Sequence, residues 1–392
     1  MPLAVAVVAL SGCSLFASPS PVTTNGSSLA PTGAVGYVVC PTAVTPLELA
    51  TRTAEADIPL PITGTPALGN FAITTSPDGH WAYVVTTDGV ARSPKPSTTM
   101  APATTGTTRR STSRPAGAGL VVGVRNVVIP INLVTQRALA PIVIPGRGGT
   151  HAIVVMPGGR TVLAASGTTI VPVDAVTHDV GTPLDLGAGH TVFGLALDPK
   201  NTMLYALVVG GVVPVNTANA TAEVEIPTGL SVSSVYSPHG IVVTDDGSTV
   251  YVVGQGGADY GGRVLPIVAG TGTTLPTTGF DQFGISDPAA IAVTPDGSDL
   301  LVVASANNWV NPVAVATFSR PGEPARLPLR TAGTAATGTQ HPTDIVLGPG
   351  RTGSFIVDGF DSVVPYAPAS QAFGRSIPVC SGASSMVVAP AP

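Results

Sequence analysis

Short apolar runs alternate with polar turns along most of the chain, and one pattern recurs seven times. An apolar strand leads into a turn of the Pro-Asp-Gly type, and a second apolar strand follows. The copies begin at Ala72 (AITTSPDGHWAYVV), Ala152, Gly194, Gly240, Ala290, Asp344 and Ser385. The first interval is 80 residues, and the later ones run from 41 to 54, the length of one four-stranded unit of a radial repeat. The turn residues agree: Pro fixes φ at the second position, Asp tolerates the third, and Gly closes the turn.

Each unit carries a third apolar strand with a Pro at a fixed place: Pro130, Pro172, Pro214, Pro266 and Pro365. A Pro inside a strand is confined to positions whose N–H the ladder does not need, so its recurrence marks a repeated backbone environment. Segments such as Arg137 to Pro145 and Thr221 to Pro227 supply a fourth, outer strand. The last copy ends after its innermost strand, and the missing strands stand at the other end of the chain, in Gly36–Val39, Thr42–Glu48 and Ala56–Leu60. The pattern predicts an all-β, seven-bladed β-propeller over residues 34–392, its last blade closed by strands from both termini, which removes exposed sheet edges.

Composition supports this reading: 46 Gly and 39 Pro among 392 residues suit many short strands and tight turns, and charged residues are only 10%. With a net charge of -5 and two lysines, Lys95 and Lys200, no basic face is available, so no nucleic-acid partner is expected. The units resemble the YVTN-type β-propeller repeat, with its apolar strand, PDG turn, YV-rich strand and V-x-V-I-D-like third strand. Pro157-Gly158-Gly159 and Pro349-Gly350-Arg351 alter the turn. The resemblance implies the fold and leaves the activity open, since such repeats serve lactonase-like enzymes, redox-enzyme relatives and surface binding proteins.

Residues 1–12 read as a signal peptide. The apolar run Met1 to Leu10 is too short for a spanning helix, and Leu10-Ser11-Gly12-Cys13 resembles the lipobox of bacterial lipoproteins, although no Lys or Arg precedes the run. The resemblance implies lipidation at Cys13, membrane attachment through that anchor, and a position on the extracytoplasmic face of the cell membrane. Residues 13–33, rich in Ser, Thr, Pro and Gly, then form a flexible tether. Cys40 and Cys380 fall at the same rim of the composite blade, where a disulfide would lock the ring in an oxidising compartment; the other reading is two free buried thiols.

The long first interval comes from residues 91–123, a Thr/Ser/Pro/Gly-rich insertion between second and third strands that holds Arg92, Lys95, Arg109, Arg110 and Arg114. Its composition predicts a disordered loop, the alternative being a basic arm that contacts an anionic cell-wall polymer or lipid head groups.

Phosphate-binding loops, zinc-protease motifs, serine-hydrolase elbows, CxxC pairs and haem-attachment sites are absent from the sequence. Chemistry emerges only when the repeats are aligned. His151, His190, His239 and His341 fall one to four residues before an inner strand, in connectors around one channel mouth, and Asp287 occupies a comparable place. Converging imidazoles could bind a transition metal or transfer protons near neutral pH; the plainer reading is polar residues in exposed connectors. No cofactor is otherwise called for. The leading expectation is an extracytoplasmic binding or scaffolding protein with a protein or small-molecule partner, more a binder than an enzyme. The alternative is a lactonase-like hydrolase at the channel mouth.

Overall fold

A computed structural model describes residues 33–63, 71–91, 122–146, 148–149, 152–232, 239–256, 261–279, 285–294, 299–306, 313–319, 329–334, 342–348, 353–368, 370 and 372–390. These residues form an all-β propeller whose regular elements are strands, gathered in antiparallel sheets. The sheets are named I to VII after their inner strands: Ala72–Thr75, Ile153–Val155, Val192–Leu197, Ile241–Val243, Ile285–Val293, Pro342–Leu347 and Ser385–Pro390. Successive inner strands touch, and the last touches the first.

Sheet VII is the composite expected from the repeat. Ser385–Pro390 pairs antiparallel with Ala34–Val39, which pairs with Ala43–Glu48, so the two ends of the chain share one ladder. The disulfide is present: Cys40 and Cys380 are bonded with Cα atoms 6.0 Å apart across 340 residues of chain.

The core lies between sheets. Tyr37, Val44 and Ile58 of sheet VII pack on Ile73, Val84 and Ile129 of sheet I, and Leu207, Val212 and Ile226 of sheet III pack on Val250, Val252 and Ile267 of sheet IV. Burying each such side chain contributes about 1.5–3 kcal/mol, which explains why strands apolar on both faces recur in every unit.

The recurrent Pro has a clear physical reason. Its carbonyl accepts a hydrogen bond from the outer segment in six sheets: Glu55 to Pro46, Leu139 to Pro130, Gly181 to Pro172, Glu223 to Pro214, Leu275 to Pro266 and Gly374 to Pro365, at 2.7–2.9 Å. In an antiparallel strand the N–H and C=O of one residue face the same neighbour. The missing Pro donor therefore points outward, where the outer strand breaks into two short pieces, as in Thr221–Ala222 and Ile226–Pro227. In these six sheets the fourth strand expected from the sequence is thus broken around the Pro, whereas sheet V, whose third strand Val313–Ser319 has no Pro, keeps one fourth strand, Leu329–Thr334. On the inner side the Pro faces an aromatic ring in five pairs: Tyr37–Pro46, Tyr83–Pro130, Tyr205–Pro214, Tyr251–Pro266 and Phe355–Pro365.

Two turn classes complete the unit. In the turns from first to second strand, Gly79 (φ 71°, after Pro77-Asp78) and Gly247 (φ 70°, after Asp245-Asp246) donate to the carbonyls of Ser76 and Thr244. The Gly is therefore in the left-handed region, which a residue without Cβ enters most readily. The turns from third to fourth strand place Arg52, Gln136, His178, Ala220 and Gly272 at equivalent positions, all with positive φ (49–67°). Around the expected insertion, the strands Trp81–Ala91 and Val122–Asn132 stay paired out to Ala91 and Val122. Residues 91, 122 and 123 are therefore strand, a correction to the 91–123 boundary, and residues 92–121 lie outside the described residues.

Candidate functional site around His239

The first residue of each aligned inner strand is small and apolar in five copies (Ala72, Ala152, Gly194, Gly240, Ala290) and polar in two, Asp344 and Ser385. These two stand on neighbouring sheets VI and VII. Asp344 is wholly buried; its Oδ1 accepts the N–H of Ile345 (2.7 Å) and its Oδ2 that of Met386 (2.9 Å). Burial pushes its carboxyl above the usual range, against the lowering influence of His239, the two backbone N–H groups and the Ser385 hydroxyl.

His239 enters from the connector before sheet IV. Its carbonyl accepts the N–H of Ile291 in sheet V (3.1 Å), which fixes the backbone beside Ala290. Its side chain then reaches sheets VI and VII, where Nε2 lies 2.9 Å from Ser385 Oγ and 3.4 Å from Asp344 Oδ2. Backbone and side chain of this one residue thus link the connector before sheet IV to sheets V, VI and VII. The ring is about a quarter open to solvent (28%), whereas Asp344 is closed off (1%).

This geometry supports some chemistry and excludes other kinds. A nucleophile-generating Ser-His-Asp arrangement places the serine and the carboxylate on opposite ring nitrogens and leaves the hydroxyl accessible. Here both partners meet Nε2, and Ser385 is fully buried. What remains is an imidazole open on one side and backed by a carboxylate, able to hold a polar ligand or to exchange a proton with a water molecule.

The other residues singled out from the sequence fare differently. His190 does lie in the connector before sheet III, but its ring bonds Leu186 and Glu225, whereas His239 meets Ser385 and Asp344. The backbone of Asp287 belongs to the inner strand of sheet V, paired near Ser305 between two register shifts, so it is not a connector residue as expected. His151 and His341 lie outside the described residues, as does Cys13. Among the described residues, no three His, Cys, Asp or Glu side chains form a metal-binding group. Asp344 and Ser385 carry no motif of their own, and their one signal in the sequence is that both break the small-apolar pattern of the aligned copies.

No protein-family model and no curated protein matches the chain. Solved structures do. It is similar to the periplasmic gluconolactonase PpgL of Pseudomonas aeruginosa, at 14% identity over 92% of this chain and 100% of that one, with a TM-score of 0.64. It is also similar to a candidate 6-phosphogluconolactonase from Bacteroides uniformis (14% identity, 91% and 99% covered, TM-score 0.61). A third likeness is to hydrazine synthase of Kuenenia stuttgartiensis (15% identity, 81% and 89% covered, TM-score 0.61). At these identities the likeness shows the fold alone, a β-propeller.

Proposed function

We propose that this protein is an exported, lipid-anchored propeller that binds a small polar ligand or a partner outside the cell at the channel mouth around His239. In this reading the seven sheets are seven blades of one ring of YVTN-type repeats. Residues 1–12 are the signal peptide, Cys13 carries the lipid, residues 13–33 are the tether, and residues 34–392 are the propeller. The Cys40–Cys380 bond supports export, because disulfides persist in oxidising compartments. The observation that carries the binding site is the contact of the partly exposed His239 imidazole with the buried Asp344 carboxylate. Gluconate and δ-gluconolactone are the first probes, chosen because two structural neighbours carry lactonase names. Calorimetry should detect binding that His239→Gln abolishes; equal binding by both proteins would place the ligand elsewhere.

The second reading is a lactonase-like hydrolase, favoured by the same pair acting on water. His239 would take the proton from the attacking water, with Asp344 stabilising the imidazolium. Hydrolysis of δ-gluconolactone above the uncatalysed rate, lost in His239→Gln, would establish this reading over simple binding.

A further inference from the structure

His190 stands in a connector built for one conformation. Gly187 (φ 94°) and Gly189 (φ 96°) take backbone angles that other residues rarely adopt, and the N–H of His190 closes the turn onto the carbonyl of Gly187 (3.2 Å). Both ring nitrogens then meet acceptors: Nδ1 lies 2.7 Å from the carbonyl of Leu186, and Nε2 lies 3.1 Å from Glu225 Oε2. A neutral imidazole has one N–H and cannot satisfy two acceptors, whereas an imidazolium has two.

The Glu225 carboxylate belongs to the outer part of sheet III and rests directly over Gly211. A Cβ at that position would come 2.1 Å from Glu225 Oε1, so Gly211 leaves the space the carboxylate fills. The other carboxylate on the strand entering the connector, Asp185, is already committed: it accepts Gly187 N–H (3.0 Å) and the Thr168 hydroxyl (2.9 Å). Side chains of the pair are about one-third exposed, so protons reach the site freely.

We propose that His190 and Glu225 form a proton-operated strap that holds the connector 187–191 against sheet III while His190 is doubly protonated and releases it when the ring becomes neutral. Loss of the proton leaves a lone pair facing either Leu186 O or Glu225, and the turn then rests on glycines with little intrinsic preference for it. The direction of the His190 shift agrees: the bond to Glu225, offset by some desolvation and helped by Leu186, raises its pKa. The closed form is therefore complete below the ordinary histidine value and is lost as pH rises through the raised one.

The test uses the full propeller and two readouts. In NMR titration the wild-type His190 ring should titrate above about 6.5, and Glu225→Gln should lower that value. Amide exchange at His190, corrected for its intrinsic rate, should become about two- to fivefold faster between about pH 5.5 and about pH 8.5, the range open to one partly exposed ion pair. Glu225→Gln should remove the pH dependence. Gly211→Ala, which displaces the carboxylate without deleting it, should act in the same direction and serves if the first variant is unstable. A His190 titration unchanged by both substitutions, or wild-type exchange independent of pH, overturns the proposal.

Discussion

His239 Nε2 lies 3.4 Å from Oδ2 of Asp344, although the connector bearing His239 precedes sheet IV and Asp344 belongs to sheet VI. The contact links a partly open group to a buried carboxylate whose remaining needs are met by the backbone N–H groups of Ile345 and Met386. Removing the carboxylate leaves these donors without an acceptor. Asp344→Ala should cost about 2–5 kcal/mol, and Asp344→Asn, which keeps one oxygen in place, should cost less. Urea unfolding midpoints of the two variants give the comparison.

The same carboxyl predicts a pH dependence. Its folded pKa is raised by burial, above an unfolded value of about 3.9. Between the two values the folded state binds more protons than the unfolded state, so stability falls as pH rises through that window. The stability of wild type relative to Asp344→Asn should decline from low pH upward and level off above the folded pKa. Denaturation at a series of pH values reads this directly.

Ring closure rests on one ladder and one covalent bond. Replacing Cys40 and Cys380 together by Ser should destabilise the protein by about 2–5 kcal/mol, since the bond closes nearly the whole chain into a loop. Inner-strand pairing of Ser385–Pro390 with Ala34–Val39 should survive. A chemical denaturation curve with and without reductant should show the same difference as the double variant.

The turns from third to fourth strand offer a stabilising change. Ala220 has φ 53°, whereas the equivalent turn of sheet IV has Gly272 at φ 67°. Ala220→Gly should stabilise by roughly 0.5–1 kcal/mol by relieving the left-handed conformation, net of the extra freedom it gives the unfolded chain. Gly272→Ala should destabilise, the more so because its Cβ would come 3.1 Å from Ile226 Cδ1. Thermal midpoints of both variants check the sign.

Much of this architecture was legible because it repeats. The Pro-Asp-Gly turns, the third-strand Pro and the shared last sheet follow from residues that recur at one register, and the place of Cys40 and Cys380 on one rim made their bond foreseeable. The left-handed turn position was hidden, since Arg52, Gln136, His178 and Ala220 have no common chemistry and only Gly272 displays the constraint. The broken outer strand was hidden too, because its cause is a Pro on the neighbouring strand. At the site, sequence could place His190 and His239 in connectors but not the direction of either ring. His239 turns to Asp344 and Ser385 on sheets VI and VII, and His190 turns to Glu225 because Gly211 makes room. From sequence Asp287 reads as a connector residue, because the two register shifts in its strand leave no mark in the composition.

The third-strand prolines give a further check. Pro214→Ala should change stability by only about 0.4–1 kcal/mol, mainly through the freer unfolded chain, because the outward donor has room in the break of the outer strand. Val213→Pro should cost more, since ladder alternation turns the N–H of Val213 toward its partner Ala206. Equal effects of the two substitutions would contradict the explanation given for the broken strand.

The most direct test of the channel-mouth account is the ¹⁵N spectrum of the His239 ring in the wild type, Asp344→Asn and Ser385→Ala. Both substitutions should move the Nε2 resonance, because that nitrogen meets both partners. A His239 Nε2 resonance that is the same in all three proteins would contradict it.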